Sequence, residues 1–268
     1  MIHQLNMSGL DKVEVAVKRL QMYEPPEGYY LCFSGGKDSV VIKALADMAG
    51  VKYDAHYSVT SVDPPELVRF IKDNHPDVIF DYPRDADGNR ITMWNLIPKK
   101  KMPPTRIARY CCQVLKEGGG RGRFIVTGVR WAESSKRKNN RHMTEVQGNT
   151  GKRIFSSDNI DDAPMFKYCY QEHKRVLNPI VDWDNGEVWE FIKEYKIPYC
   201  ELYDEGYKRL GCVGCPMSYN RAQELNNYPK YKQNYLLAFD RLIKVLDDEN
   251  KRTTWKSADD VMEWWLSE

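Results

Sequence analysis

The chain has 268 residues, 42% of them apolar and 29% charged, and its 40 Lys and Arg nearly balance 38 Asp and Glu for a formal net charge of +2. These values are ordinary for a soluble globular protein and lack the high pI expected of a dedicated nucleic-acid binder. No run of 18 apolar residues marks a membrane span and no apolar leader marks an export signal, so the seven cysteines are expected in a reducing cytoplasm, where clustered thiols bind metal or react.

Taken in order, Leu10, Val13, Val17 and Leu20 recur at helical spacing and predict a helix over 10–20. Tyr29 to Phe33 is a short apolar run, read as a buried strand, and it leads straight into Ser34-Gly35-Gly36-Lys37-Asp38-Ser39. Val40 to Met48 then reads as a helix. A second strand is expected over 52–59, a helix over 66–74 opened by Pro64-Pro65, and a third strand over 78–82. Phe124 to Thr127 makes a fourth strand after the break Gly118-Gly119-Gly120. This alternation predicts an α/β fold: a doubly wound, mostly parallel sheet with helices on both faces.

The segment 134–162 is polar and charged without clear periodicity, and is expected to be a mobile loop. Asp184 and Glu187 have capping-box spacing ahead of Val188, Phe191 and Ile192. Tyr235, Leu236, Phe239, Leu242, Ile243 and Leu246 give an amphipathic helix, its aromatics read as packing rather than as a base-stacking platform. A last helix starts at Ser257 and carries Val261, Trp264 and Trp265. There is no internal repeat.

Two glycines directly after a strand let the backbone turn sharply and aim its N–H groups at an anion, and the following helix adds its positive end. Lys37 would neutralise a phosphate, with the Ser34 and Ser39 hydroxyls donating to it. The lysine is followed by Asp38, so this is not a Walker A loop. The competing reading is an ordinary Gly-Gly turn at a helix start.

Strand plus SGGKDS resembles the pyrophosphate loop of the adenine-nucleotide α-hydrolase superfamily. More narrowly, Thr127-Gly128-Val129-Arg130 with Glu133, Ser134 and Arg137, then NPIVDWDNGEVWEFI at 178–192 and LYDEGYKRLGCVGCP at 202–216, resemble the phosphoadenosine-phosphosulfate (PAPS) reductase family. The likeness runs over about residues 29–220. It implies a nucleotide-binding domain over 1–220 with a helical extension over 221–268 packed on it, and an adenine nucleotide at the carboxyl ends of the strands.

Cys111-Cys112 upstream and Cys212-x-x-Cys215 downstream are similar to the 4Fe-4S site of the family's adenosine-phosphosulfate (APS) reductases and of the ATP pyrophosphatase of DNA phosphorothioation. Two adjacent cysteines chelate one tetrahedral zinc poorly but can ligate different irons of a cubane. Structural zinc and four buried free thiols stay open beside it. Cys32, Cys169 and Cys200 read as isolated core or surface thiols, and His56, His75, His142 and His173 as structural. The family's reductases also carry a C-terminal redox cysteine, whereas no cysteine follows Cys215 here. The resemblance then implies ATP cleavage between its α- and β-phosphates, adenylation of an acceptor and transfer of sulfur, with APS or PAPS reduction by an external thiol as the alternative.

The expected roles follow. Gly35, Gly36 and Lys37 would hold pyrophosphate and Asp38 would help hold Mg²⁺. Gly128 would lie at the nucleotide, and Arg130 and Arg137 would clamp phosphate or an acidic co-substrate, although Arg137 reads equally as a solvated charge. Glu133 would orient Arg130 or act as a base. Asp63 is read as a ribose or metal ligand or, equally, as a helix N-cap. Lys99-Lys100-Lys101 and Lys136-Arg137-Lys138 with Arg141 could follow a nucleic-acid backbone, or be solvated faces. A non-catalytic, metal-stiffened nucleic-acid-binding protein is the remaining alternative. The expected partners are an adenine nucleotide and a sulfur donor or thiol reductant, without a membrane.

Overall fold

Short-range polar chemistry fixes the helix starts. The computed structural model describes residues 2–5, 9–148, 151–155 and 174–268, and its first helix, α1 (Lys12–Tyr23), opens on a capping box. In it Asp11 accepts the Glu14 N–H while Glu14 accepts the Asp11 N–H. Then follow β1 (Tyr29–Cys32), α2 (Lys37–Ala49), β2 (Tyr53–Ser58), α3 (Pro65–Asn74), β3 (Ile79–Asp81), α4 (Met93–Lys100) and α5 (Tyr110–Leu115). The second half carries β4 (Phe124–Val126), α6 (Ser135–Asn140), β5 (Thr144–Gly148), β6 (Gly151–Phe155), β7 (Lys174–Leu177) and α7 (Asn185–Glu194). Three helices end it: α8 (Arg221–Asn227), α9 (Pro229–Asp248) and α10 (Ala258–Ser267).

The strands form one seven-stranded sheet in the order β3-β2-β1-β4-β7-β5-β6. β1 is parallel to β2 on one side and to β4 on the other, and β4 is parallel to β7. β5 and β6 close the edge antiparallel. Tyr29, Tyr30 and Leu31 of β1 are all buried, as a central parallel strand demands. Strand order reverses between β1 and β4, and in such sheets the ligand crevice lies at the carboxyl ends of those two strands. The expected α/β, mostly parallel sheet is thus present.

The segment 134–162 is more ordered than expected where it is described. Ser134 caps α6 by accepting the Arg137 N–H, and β5 pairs with β7. Thr144 and Glu145 are fully buried there, and the Glu145 carboxylate accepts the His142 N–H at 3.0 Å. Polar residues with local partners make these elements, so hydropathy carries no trace of them. Residues 149–150 and 156–162 of that segment, together with Cys169 and His173, lie outside the described residues.

The chain divides into two compact units, one of residues 1–57, 66–80 and 120–210, the other of 58–65, 81–119 and 211–268. The helices of 221–268 fall in the second unit together with 81–119. In the first unit Phe124 is wedged against Tyr29 at 5.3 Å, and Val40, Val41 and Leu45 of α2 are buried. The second unit builds its core on Leu96, Ile97, Tyr235, Phe239, Leu242 and Trp265. There the Trp265 Nε1–H donates to the Pro104 carbonyl at 2.7 Å and the Tyr235 hydroxyl to that of Val213 at 3.0 Å. Among the described residues no helix is long and apolar enough to cross a membrane.

Candidate functional site

The loop after β1 is shaped by its glycines and serines. Gly35 has φ +72°, and a Cβ there would stand 2.6 Å from Leu67 and 2.8 Å from Ile71 of α3. Conformation and space therefore both require glycine. The Ser39 hydroxyl donates to the Gly36 carbonyl at 2.8 Å, and the Ser34 hydroxyl donates to Ser39 Oγ at 3.3 Å. Both serines thus hold the loop's own shape rather than standing open as donors. Gly128, just after β4, is pressed on the start of α2: a Cβ would lie 2.9 Å from the Asp38 carbonyl.

Charge at this loop is organised as a chain. Lys37 is buried, with Nζ 3.2 Å from Asp38 Oδ2. Asp38 Oδ1 accepts Arg130 Nε–H at 2.7 Å, and Arg130, only 2% exposed, also donates to the Trp183 carbonyl at 3.3 Å. Burial lowers the Lys37 pKa, Asp38 opposes this, and Arg130 adds to the lowering. Glu133 Oε2 accepts the Arg130 backbone N–H at 3.2 Å and pairs with Arg137, while its Oε1 lies 4.0 Å from Arg209 Nη2. Burial, then Arg209, lowers the Arg137 pKa.

These groups line a cleft of about 230 Å³ with Ser34, Gly36, Lys37, Asp38, Gly128, Glu133, Arg137, Tyr203 and Arg209 in its wall. That is less than the roughly 300 Å³ at which whole-ligand sites begin, and suits the phosphate end of a larger molecule. Of the residues proposed from sequence, Gly35 backs the loop and Arg130 sits beneath Asp38 as its support instead of standing open as a clamp. Asp63 belongs to the second unit, where it is buried and accepts the Thr60 N–H at 2.8 Å. Sequence reasoning missed Tyr203, Arg209 and Cys32 in the cleft wall. The first two stand in the LYDEGYKRLG segment, the available pointer, but no spacing rule singles them out. His56 stacks on Tyr30 at 4.0 Å and His75 meets Phe33 edge-on at 4.8 Å, both as packing groups.

In the second unit Cys111 and Cys112 sit in the first turn of α5, and Cys212 and Cys215 bracket a turn closed by the Cys215 N–H on the Cys212 carbonyl at 3.2 Å. Gly214 makes this turn with φ +72°, and a Cβ would lie 3.2 Å from Leu225, Tyr235 and Trp265. None of the six described cysteines is in a disulfide. Their fields overlap: burial, then Cys212, Cys111 and Cys215, raises the Tyr235 hydroxyl. A hydrogen bond from Cys111, assisted by Arg109, draws Cys112 down to about 5, and the same bond with burial pushes Cys111 up. Arg109 Nη2 lies 3.6 Å from Cys112 Sγ, and Thr60 Oγ1 3.5 Å from Cys212 Sγ. The Cys212 charge raises Lys116.

Arg221 is buried, its guanidinium 5.1 Å over the Trp265 ring, and its Nη1 has no hydrogen-bond partner. Among the described residues no group of three or more His, Cys, Asp or Glu side chains is placed to hold a metal ion. Arg109, Lys116 and Arg221 act on these thiols as cations and Asp63 as an anion, and the unpartnered Arg221 nitrogen would suit an anionic group. The lysine run is partly engaged, since Lys101 pairs with Glu249 at 2.6 Å.

A family model for the phosphoadenosine phosphosulfate reductase domain matches residues 28–218. An uncharacterized protein of Methanocaldococcus jannaschii is 24% identical over 84% of this chain and 50% of its own length. The adenosine 5'-phosphosulfate reductase of Allochromatium vinosum is 33% identical over 25% of this chain and 26% of its own. The chain thus spans half or less of these relatives. A phosphate complex of PAPS reductase from Candida auris has 18% identity and a TM-score of 0.49, covering 78% of this chain and 96% of that one.

Proposed function

The chain belongs to the phosphoadenosine phosphosulfate reductase domain family, and from that premise we propose that it is an enzyme of nucleotide-linked sulfur chemistry that cleaves ATP, or a related adenine nucleotide, at the loop 34–39. The observation that carries the reading is the buried Lys37 beside a glycine turn and a helix N-terminus, where strand order reverses in the sheet. In this reading an acceptor oxygen attacks the α-phosphorus, the bond from it to the α–β bridging oxygen breaks, and pyrophosphate leaves with the electron pair. The Gly36 N–H and Lys37 stabilise that leaving charge, and Asp38, braced by Arg130, fixes the ammonium in place. A sulfur nucleophile then displaces AMP from the adenylated acceptor, which is a small metabolite or a nucleic acid. Mg²⁺ would enter with the nucleotide, its charge facing the Asp38 carboxylate.

Cys111, Cys112, Cys212 and Cys215 would hold a 4Fe-4S cluster, with zinc as the alternative. That cluster would supply electron transfer or electrostatic support, and Arg109, Lys116 and Arg221 would balance its charge. A second reading, APS or PAPS reduction, is favoured by the likeness to adenosine 5'-phosphosulfate reductases. No cysteine stands among residues 216–268, so it takes its thiol from another molecule or segment.

The deciding experiment is anaerobic purification and parallel incubation with ATP-Mg²⁺, APS and PAPS. Pyrophosphate, AMP and sulfite are assayed, and iron and sulfide are counted on the same sample. Pyrophosphate and AMP from ATP, lost in Lys37→Ala, support the proposal; sulfite from APS or PAPS replaces it with the reductase. No turnover, with zinc in place of iron, moves the nucleic-acid-binding alternative to the front.

A further inference from the structure

Tyr203 closes the short helical turn Glu201–Tyr203 and lines the cleft of the loop. Its hydroxyl accepts the Lys37 backbone N–H at 2.9 Å and stands 3.3 Å from where a Cβ on Gly36 would be. That N–H belongs to the first residue of α2, one of the helix's unsatisfied donors at its positive end. A protein oxygen is therefore held where the proposed function needs a phosphate oxygen. The ring is fixed independently of the hydroxyl, edge-on against Trp189 at 5.1 Å, and Lys37 Nζ lies 5.9 Å from its centroid. Burial pushes the phenol up to about 12, so its oxygen is a neutral acceptor. A charged phosphate oxygen makes a bond roughly twice as strong with the same donor.

We propose that Tyr203 is a placeholder for the anion: its hydroxyl holds the Lys37 N–H until a phosphate oxygen of the nucleotide displaces it, which makes the loop selective for ligands that bring negative charge to that N–H. The inference rests on the reading of this loop as an anion site. It assigns Tyr203 a positioning role in which it competes with the ligand, and predicts the unusual result that removing a polar group tightens binding.

The test is calorimetric titration of inorganic pyrophosphate into the full chain and its Tyr203→Phe variant, which keeps the ring on Trp189. The variant is expected to bind about fivefold tighter, the worth of one neutral hydrogen bond no longer broken. In the otherwise native chain with 3-fluorotyrosine at 203, the fluorine resonance is expected to shift at pyrophosphate saturation, which a purely structural tyrosine would not show. Binding in Tyr203→Phe that is equal or weaker, or an unmoved resonance, overturns the placeholder. If the native chain binds and Lys37→Ala does not, such a result removes Tyr203's role alone. If neither the native chain nor Tyr203→Phe binds pyrophosphate or ATP, the anion-loop reading falls and this inference with it.

Discussion

In the first unit the charges at the loop close on one another: Lys37 on Asp38, Asp38 on Arg130, Glu133 on Arg137. The second unit is arranged differently. Four free thiols stand in the field of Arg109 and Lys116, and the buried Arg221 keeps a guanidinium nitrogen without a hydrogen-bond partner. A site whose donors and acceptors are already matched works by exchange, one partner giving way to a ligand atom. A site that leaves one buried guanidinium nitrogen without a hydrogen-bond partner would favour a ligand that supplies one, because an unpaired polar group in a protein interior is costly. The first should therefore tolerate the loss of the second, and each should respond to its own perturbations.

The strongest test of that contrast is Lys37→Ala. Pyrophosphate release from ATP is expected to fall by about a hundredfold or more, as for the loss of a preorganised electrostatic group. Iron and sulfide per chain should stay as in the native protein. A fall in both would show that the two sites are not separable. The converse is Cys212→Ser, which replaces a buried sulfur by an oxygen that binds iron poorly. Iron per chain should be largely lost, while the ATP dissociation constant, read by calorimetry, stays within about twofold. Loss of nucleotide binding in this variant would break the contrast from the other side.

A smaller effect is set by protons. In metal-free protein Cys112 is held at about 5 by the Cys111 hydrogen bond and Arg109, below the ordinary thiol value of 9.0. The folded value is the lower one, so this group's contribution to stability is fully present above about pH 9 and is lost as pH falls toward 5. Its alkylation by iodoacetamide, followed by peptide mass spectrometry, should change little between pH 9 and pH 6. Burial holds Cys212 up, and its rate should fall about tenfold per unit. Parallel pH profiles for the two would show that Arg109 and Cys111 do not set the second site's electrostatics.

The two units also differ in how plainly the sequence announces them. The loop is a local object: strand, two glycines, lysine and helix are contiguous, and the parallel order of β1, β2 and β4 follows from their alternation with helices. What local reading misses there is what the chain brings from far away, Tyr203 and Arg209. The second unit is assembled from three separated stretches. α4 hides behind Pro98 and a capping box built on Thr92 and Asn95, where the usual sign is Glu or Gln. α5 has six residues, too short for a period to show. Its cysteines were visible by spacing, but Arg221 looks like any surface arginine until Trp265 is found against it. Likewise, polar β5 beside Arg141 and His142 gives no apolar alternation, so only its pairing with β7 reveals a strand.

The smallest effect tests the division itself. Asp184 caps α7 in the first unit by accepting the Glu187 N–H at 2.8 Å, and Ser257 caps α10 in the second by accepting the Asp260 N–H at 3.2 Å. Replacing either with alanine should cost about 1 kcal/mol, and a unit of this size should then melt about 2–8 °C lower. If the units are separately cooperative, calorimetry resolves two transitions. Asp184→Ala then moves the one that pyrophosphate raises, and Ser257→Ala moves the one that iron raises. A single transition displaced alike by both variants would mean that the chain unfolds as one body. The contrast between a matched site and an incomplete one would then hold for their chemistry and not for their folding, because every local loss would be shared across the whole chain.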